Sequence, residues 1–135
     1  MRSLAGEYVF YRGKKLQVEF YFTLEGKIPA KELLESIPEP KVIAKLMGYV
    51  KVMAEVGALY NEKKFRIVGK KQRIYEFKPT AFRFFSFFSG DGKLIITNGY
   101  MKKSKKVRRE ELERAVRYKN DYLFRVEGGV YYEKK

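Results

Sequence analysis

Three residues of this chain have the types and spacing to act together on a phosphate: Lys78, Arg83 and Tyr100. They fall in three short β-like segments, 73–78, 82–89 and 93–100. Asp91-Gly92 is a strong signal for a two-residue hairpin turn. With those residues in the turn, Gly90 pairs with Lys93, Phe85 with Asn98 and Arg83 with Tyr100. A four-residue loop over 79–82 pairs Lys78 with Arg83 and Glu76 with Phe85. Residues directly opposite share a face. Lys78, Arg83 and Tyr100 then form one row across three strands, and Glu76, Phe85 and Asn98 form the next. Phe87, Ile96 and Leu94 continue that face as an apolar floor. Lys102 and Lys103 lie just past Tyr100, with Lys105 and Lys106 behind them.

A cationic row at the end of an apolar sheet face suits RNA cleavage by in-line attack. A base takes the 2′-hydroxyl proton, cations stabilise the phosphorane, and an acid protonates the 5′-oxygen. A lysine crowded by other cations has a lowered pKa and can be that base. Arg83 can hold a phosphate bidentately, and Tyr100 can stack on a base or donate a proton. The competing reading is a surface ladder with one salt bridge. The register matters as well, because a slip of one residue moves the whole set to the other face.

Composition narrows the chemistry. The chain has 135 residues, enough for one core, with 45% hydrophobic and 16% aromatic residues. Cysteine and histidine are both absent, which removes disulfides, thiolate metal sites, cysteine nucleophiles and the commonest general base. The residues call for no cofactor and no metal. Residues 1–60 hold nine Lys/Arg and seven Asp/Glu, whereas residues 61–125 hold nineteen and seven. Nearly all of the net charge of +14 therefore lies in the second half. A one-sided basic surface suggests a polyanion partner; a lysine-rich solvated surface of a thermophile is the plainer alternative. The candidate RNA contacts are Lys70, Lys71, Arg73, Lys105, Lys106, Arg108 and Arg109. Gly69 with Lys70 and Lys71 lacks the spacing of a P-loop. The run from Lys102 to Lys106 is either a solvated loop or a phosphate contact.

The elements that must position these residues read as α+β. Segments 7–11 and 16–24 are two strands of a hairpin around Gly13, or one strand with an N-terminal extension. Pro29 opens a short helix to about Ile37. A second helix covers 41–56, with Val42, Ile43, Leu46, Met47, Val50, Met53 and Ala54 on one arc and Gly57 as its cap. The segment from Phe82 to Phe88 is apolar on both faces and belongs at the centre of a sheet. A final helix covers 108–124, burying Leu112, Ala115, Val116, Tyr122 and Leu123. Lys119 falls within that face and either snorkels to its edge or points into a site. Val130-Tyr131-Tyr132 suggests a short edge strand. No signal peptide or membrane span is evident, so a single cytoplasmic domain over residues 1–135 is expected.

The order of motifs resembles the HigB-like branch of the RelE/ParE toxin superfamily, phage-derived relatives included. The matching pieces are Phe65-Arg66-Ile67-Val68-Gly69, Ile74-Tyr75-Glu76-Phe77-Lys78, Phe82-Arg83-Phe84-Phe85, Asn98-Gly99-Tyr100-Met101-Lys102-Lys103-Ser104-Lys105-Lys106 and Glu111-Leu112-Glu113-Arg114-Ala115. The likeness runs over about residues 20–124. It implies two N-terminal helices packed on a mainly antiparallel sheet with a C-terminal helix. It also implies a ribosome-dependent mRNA endoribonuclease, an mRNA interferase, neutralised by a cognate antitoxin protein. Lys78, Arg83, Lys102 and Lys103 stand at basic positions of the family pattern. Tyr100 stands where that branch usually carries phenylalanine. The other expectation is a non-catalytic relative that blocks a topoisomerase, or a phage protein that binds nucleic acid or a partner; a plain RNA-binding module is a third.

Overall fold

The computed structural model describes residues 7–103 and 108–132. Nine elements run in the order β1 (Val9–Arg12), β2 (Gln17–Phe20), α1 (Pro29–Ser36), α2 (Pro40–Val56), β3 (Phe65–Gly69), β4 (Ile74–Phe77), β5 (Phe82–Phe88), β6 (Lys93–Met101) and α3 (Arg109–Glu127). The strands form one sheet in the order β1-β2-β6-β5-β4-β3. The chain is therefore α+β, with two N-terminal helices, a mainly antiparallel sheet and a C-terminal helix. Among the described residues only β2 and β6 pair in parallel.

Local chemistry explains most of the boundaries. Pro29 and Pro40 sit in the first helical turns, where a missing N–H is harmless. Gly57 ends α2 in the left-handed conformation at φ 90°, and its N–H donates to the Met53 carbonyl. Val42, Leu46, Val50, Met53 and Ala54 form the buried stripe of α2, whereas Met47 is exposed. Ala54 packs so closely on Gly13 that a Cβ there would lie 2.5 Å from it. The Ala54 carbonyl also accepts the N–H groups of Lys15 and Leu16, so the β1–β2 turn caps the end of α2.

Four sequence expectations need correction. The β3 strand was not anticipated, because Phe65–Gly69 is short and carries a charge, Arg66, at its second position. Residues 130–132 form a turn rather than an edge strand. There Tyr131 stacks on Phe22, and its hydroxyl accepts the Phe22 N–H. In α3 it is Arg125, not Leu123, that is buried; its guanidinium donates to the Phe22 carbonyl and pairs with Asp121.

The fourth correction concerns register. Ser89 donates to the Lys93 carbonyl, so the loop is Gly90-Asp91-Gly92, three residues instead of two. Gly90 does not pair with Lys93, and Phe88 lies opposite Leu94 and Ser86 opposite Ile96. A bulge then places Thr97 and Asn98 together against Phe85, and the expected pairing resumes at Phe84–Gly99 and Arg83–Tyr100. The extra loop residue and the bulge offset each other. Phe87 consequently lies opposite Ile95, while Ile96 and Leu94 belong to the other face.

Candidate phosphate site at the end of the sheet

Strand pairing gathers the site. Glu76 lies opposite Phe85 in β5 and opposite Arg66 in β3. Arg83 lies opposite Tyr100. By the same register Lys78, just past the end of β4, stands beside Arg83. All of these side chains leave the sheet on the face that α3 covers: Asn98 donates to the Glu111 carbonyl, and Tyr100 reaches the start of α3.

Lys78 is half-buried, and its ammonium donates to the Glu62 carbonyl at 3.1 Å. Its pKa is lowered from the ordinary 10.5, first by burial and then by the charges of Arg66, Arg83 and Lys102; Glu76 opposes this. Arg83 is held by its Nη1, which donates to the Thr80 and Phe82 carbonyls at 2.7 and 2.8 Å. The Arg83 Nε is buried and, among the described residues, without an acceptor. Glu76 is 1% exposed and pairs through Oε2 with the Arg66 Nε at 2.8 Å, while Oε1 is buried and, among the described residues, without a partner. One carboxylate thus sits among Arg66, Lys78 and Arg83 and neutralises only part of their charge.

Tyr100 is buried, with Phe85 at 5.8 Å on one side and the Arg108 guanidinium 5.6 Å from its ring centroid. Its hydroxyl accepts the Arg108 N–H at 3.2 Å. The ring therefore anchors the start of α3 and presents no open face for a base. Among the described residues its own proton has no acceptor. Next to Tyr100, Gly99 lets β6 lie close to β5 and α1, because a Cβ there would lie 2.2 Å from the Arg83 carbonyl oxygen and 2.9 Å from Leu33.

Not all the candidate residues come together. Lys102 follows β6 at this end, its N–H donating to the Ala81 carbonyl, and Lys103 is exposed next to it. Arg108 and Arg109 border the site from the start of α3. Lys70, Lys71 and Arg73 lie in the β3–β4 turn, at the opposite end of the sheet. Lys105 and Lys106 lie outside the described residues. Lys119 does not reach the Lys78 end: its ammonium donates to the Gln72 carbonyl and lies 5.5 Å from the Phe87 ring centroid, tying α3 to the β3–β4 turn. Burial and the neighbouring Arg73 lower its pKa.

Arg66 is the member that sequence reasoning missed. Its only local signal is that it lies on a segment able to pair with Glu76. Among the described residues no group of carboxylates converges as a metal-binding set. Clustered cations with a half-buried lysine and an unused guanidinium nitrogen suit an anion, and the flat Arg fork suits a phosphate. No helix of the described residues is long and apolar enough to cross a membrane.

The family model described as phage derived protein Gp49-like (DUF891) matches residues 32–120, which is 89 of the 135 residues and includes every described member of the site. That family is related to HigB/RelE-like toxin–antitoxin proteins. Among curated proteins none matches the chain.

Proposed function

The chain belongs to the Gp49-like family of phage-derived proteins, and on that footing we propose that it is a toxin that cleaves mRNA on the ribosome and is held in check by an antitoxin protein. The observation that carries this reading is the cluster of Arg66, Arg83 and Lys102 around Lys78, a lysine whose pKa is lowered by burial and by those charges. The resemblance to HigB-like sequences supports it at Lys78, Arg83, Lys102 and Lys103.

The neutral Lys78 amine takes the proton of the 2′-hydroxyl. The 2′-oxygen attacks the adjacent phosphorus as the bond to the 5′-oxygen breaks. Arg83 and Arg66 stabilise the charge that develops on the phosphorane. A proton from the Lys102 ammonium or the Tyr100 hydroxyl goes to the departing 5′-oxygen. The products are a 2′,3′-cyclic phosphate and a 5′-hydroxyl, so the reaction consumes no water and uses no metal. Lys103, Arg108 and Arg109 hold the flanking phosphates.

The test is induction in cells with mapping of new mRNA 5′ ends. Growth should stop, with 5′-hydroxyl ends appearing in translated messages. Lys78→Ala, Arg83→Ala and Lys103→Ala should each relieve the arrest without unfolding the protein. A folded triple variant with undiminished toxicity would eliminate this site. The second reading, a non-catalytic interaction protein, is favoured by one detail: the Arg83 guanidinium already donates to two backbone carbonyls. Arrest with intact mRNA and failing DNA gyration would select it.

A further inference from the structure

The other end of the sheet carries a feature that cleavage does not use. The helices make their principal contacts with β1, β2, β5 and β6, which leaves β3 and β4 thinly covered. On the face away from α3, Ile67 lies opposite Tyr75, and Tyr75 opposite Ser86. Phe88, two residues along β5, shares that face. Ile67 and Tyr75 are half-buried and Phe88 is 38% exposed. The Tyr75 ring lies parallel to Phe65, 5.3 Å away, and edge-on to Phe88 at the same distance. These contacts fix the ring in place before any ligand arrives.

The β3–β4 turn borders this platform. Arg73 directly precedes β4, and the antiparallel register carries Phe88 toward the same end. Lys70, Lys71 and Arg73 are all exposed, and among the described residues none has an acidic partner. Arg73 is held at φ 56°. Flat rings beside unpaired cations match a chain of bases and phosphates. A protein partner would instead need a contiguous apolar patch of several hundred Å², and three partly buried side chains do not supply one. A duplex keeps its bases stacked inside and could use only the cations.

We propose that this end is a second nucleic-acid contact that takes single-stranded RNA, with bases stacked on Tyr75 and Phe88 and phosphates on Lys70, Lys71 and Arg73. Tyr75 stands about 10 Å from Lys78 and Arg73 roughly 16 Å, three and five residues at the strand rise, and binding here does not depend on cleavage there.

The experiment titrates the full chain with a fluorescent oligouridine of about ten nucleotides. A Lys78→Ala/Arg83→Ala background silences the other end. Tyr75→Leu and Phe88→Leu keep apolar volume while removing the stacking rings, and thermal melting checks that both fold. Each should weaken binding about tenfold. Replacing Lys70, Lys71 and Arg73 by alanine should lower the slope of log K against log salt by about 2. Unchanged affinity in the folded leucine variants would overturn the proposal. So would duplex RNA binding as tightly as the single strand. Leucine variants that lose self-association or capture of a protein partner, but not RNA, would also overturn it by making the face a protein interface.

Discussion

The two ends of the β3–β5 hairpins carry similar charge and do different things with it. At the Lys78 end the cations are drawn inward. Glu76 is buried among them, Arg83 is tied to backbone carbonyls, and Lys78 is partly desolvated. At the turn end Lys70, Lys71 and Arg73 stand in solvent, next to aromatic rings. Electrostatic interactions strengthen where water is excluded. The inward cluster can therefore shift a pKa and stabilise a transition state, whereas the outward one can only attract and hold. Equal charge counts would make the two ends look alike; burial separates them.

Neutralising each end in turn tests the two roles most directly. Under the proposed activity, Lys78→Ala with Arg83→Ala should lower single-turnover RNA cleavage by about 10²–10³-fold, the loss typical of removing a preorganised charge stabiliser. The Lys70/Lys71/Arg73 alanine triple should weaken RNA binding and leave the cleavage step within about tenfold. Equal losses at both ends would erase the distinction.

Glycine substitutions probe packing at the same two ends. Gly99→Ala drives a Cβ into the Arg83 carbonyl, and urea unfolding should show a loss of about 1–3 kcal/mol. Gly69→Ala, whose Cβ would meet Ile74 at an ordinary 3.4 Å, should stay within about 0.5 kcal/mol. Glu76→Gln sharpens the point from inside the cluster. Among the described residues it removes the one carboxylate paired with Arg66, and the same unfolding measurement should show about 1–2 kcal/mol lost, moderated because Arg66 is partly exposed.

The smallest effect is on pH. With Lys78 as base, cleavage should rise with pH through its lowered pKa and level off below 10.5. Arg66→Met removes a cation that lowers this pKa and frees Glu76 to raise it, so the rising limb should move to higher pH. The sign for stability follows from the same shift. Between the folded-state pKa and 10.5 the unfolded chain binds the extra proton, so the Lys78 contribution to stability grows as pH rises through that window. A profile that ignores Arg66 would detach Lys78 from the reaction.

Much of this arrangement was legible in the residues. The apolar arc of α2, its proline start and its Gly57 cap are local features that helical geometry alone enforces. The pairing of Arg83 with Tyr100 and of Glu76 with Phe85 came from turn residues and strand alternation, and both hold. The Arg83 register survived for a reason invisible in the sequence: a longer loop and a bulge cancel. The apolar floor did not survive, because Ile95 and Ile96 exchange faces between those two irregularities. Arg66 was missed since a five-residue strand with a charge at its second position has no periodic signature.

What is local could be read from the residues: the three helices with their proline starts and the Gly57 cap, the strands β4 to β6 with their turns, and that a basic half without histidine or cysteine works through lysine and arginine. Only the tertiary structure decided which cations meet. Lys70 and Lys78 are eight residues apart, yet β4 carries them to opposite ends of the sheet, while Arg66, Lys78, Arg83 and Lys102 converge from four separate segments. The parallel pairing of β2 with β6 and the anchoring of Tyr131 on Phe22 were decided there too. Contacts between distant segments depend on burying apolar faces against one another, and no short window of residues contains that information.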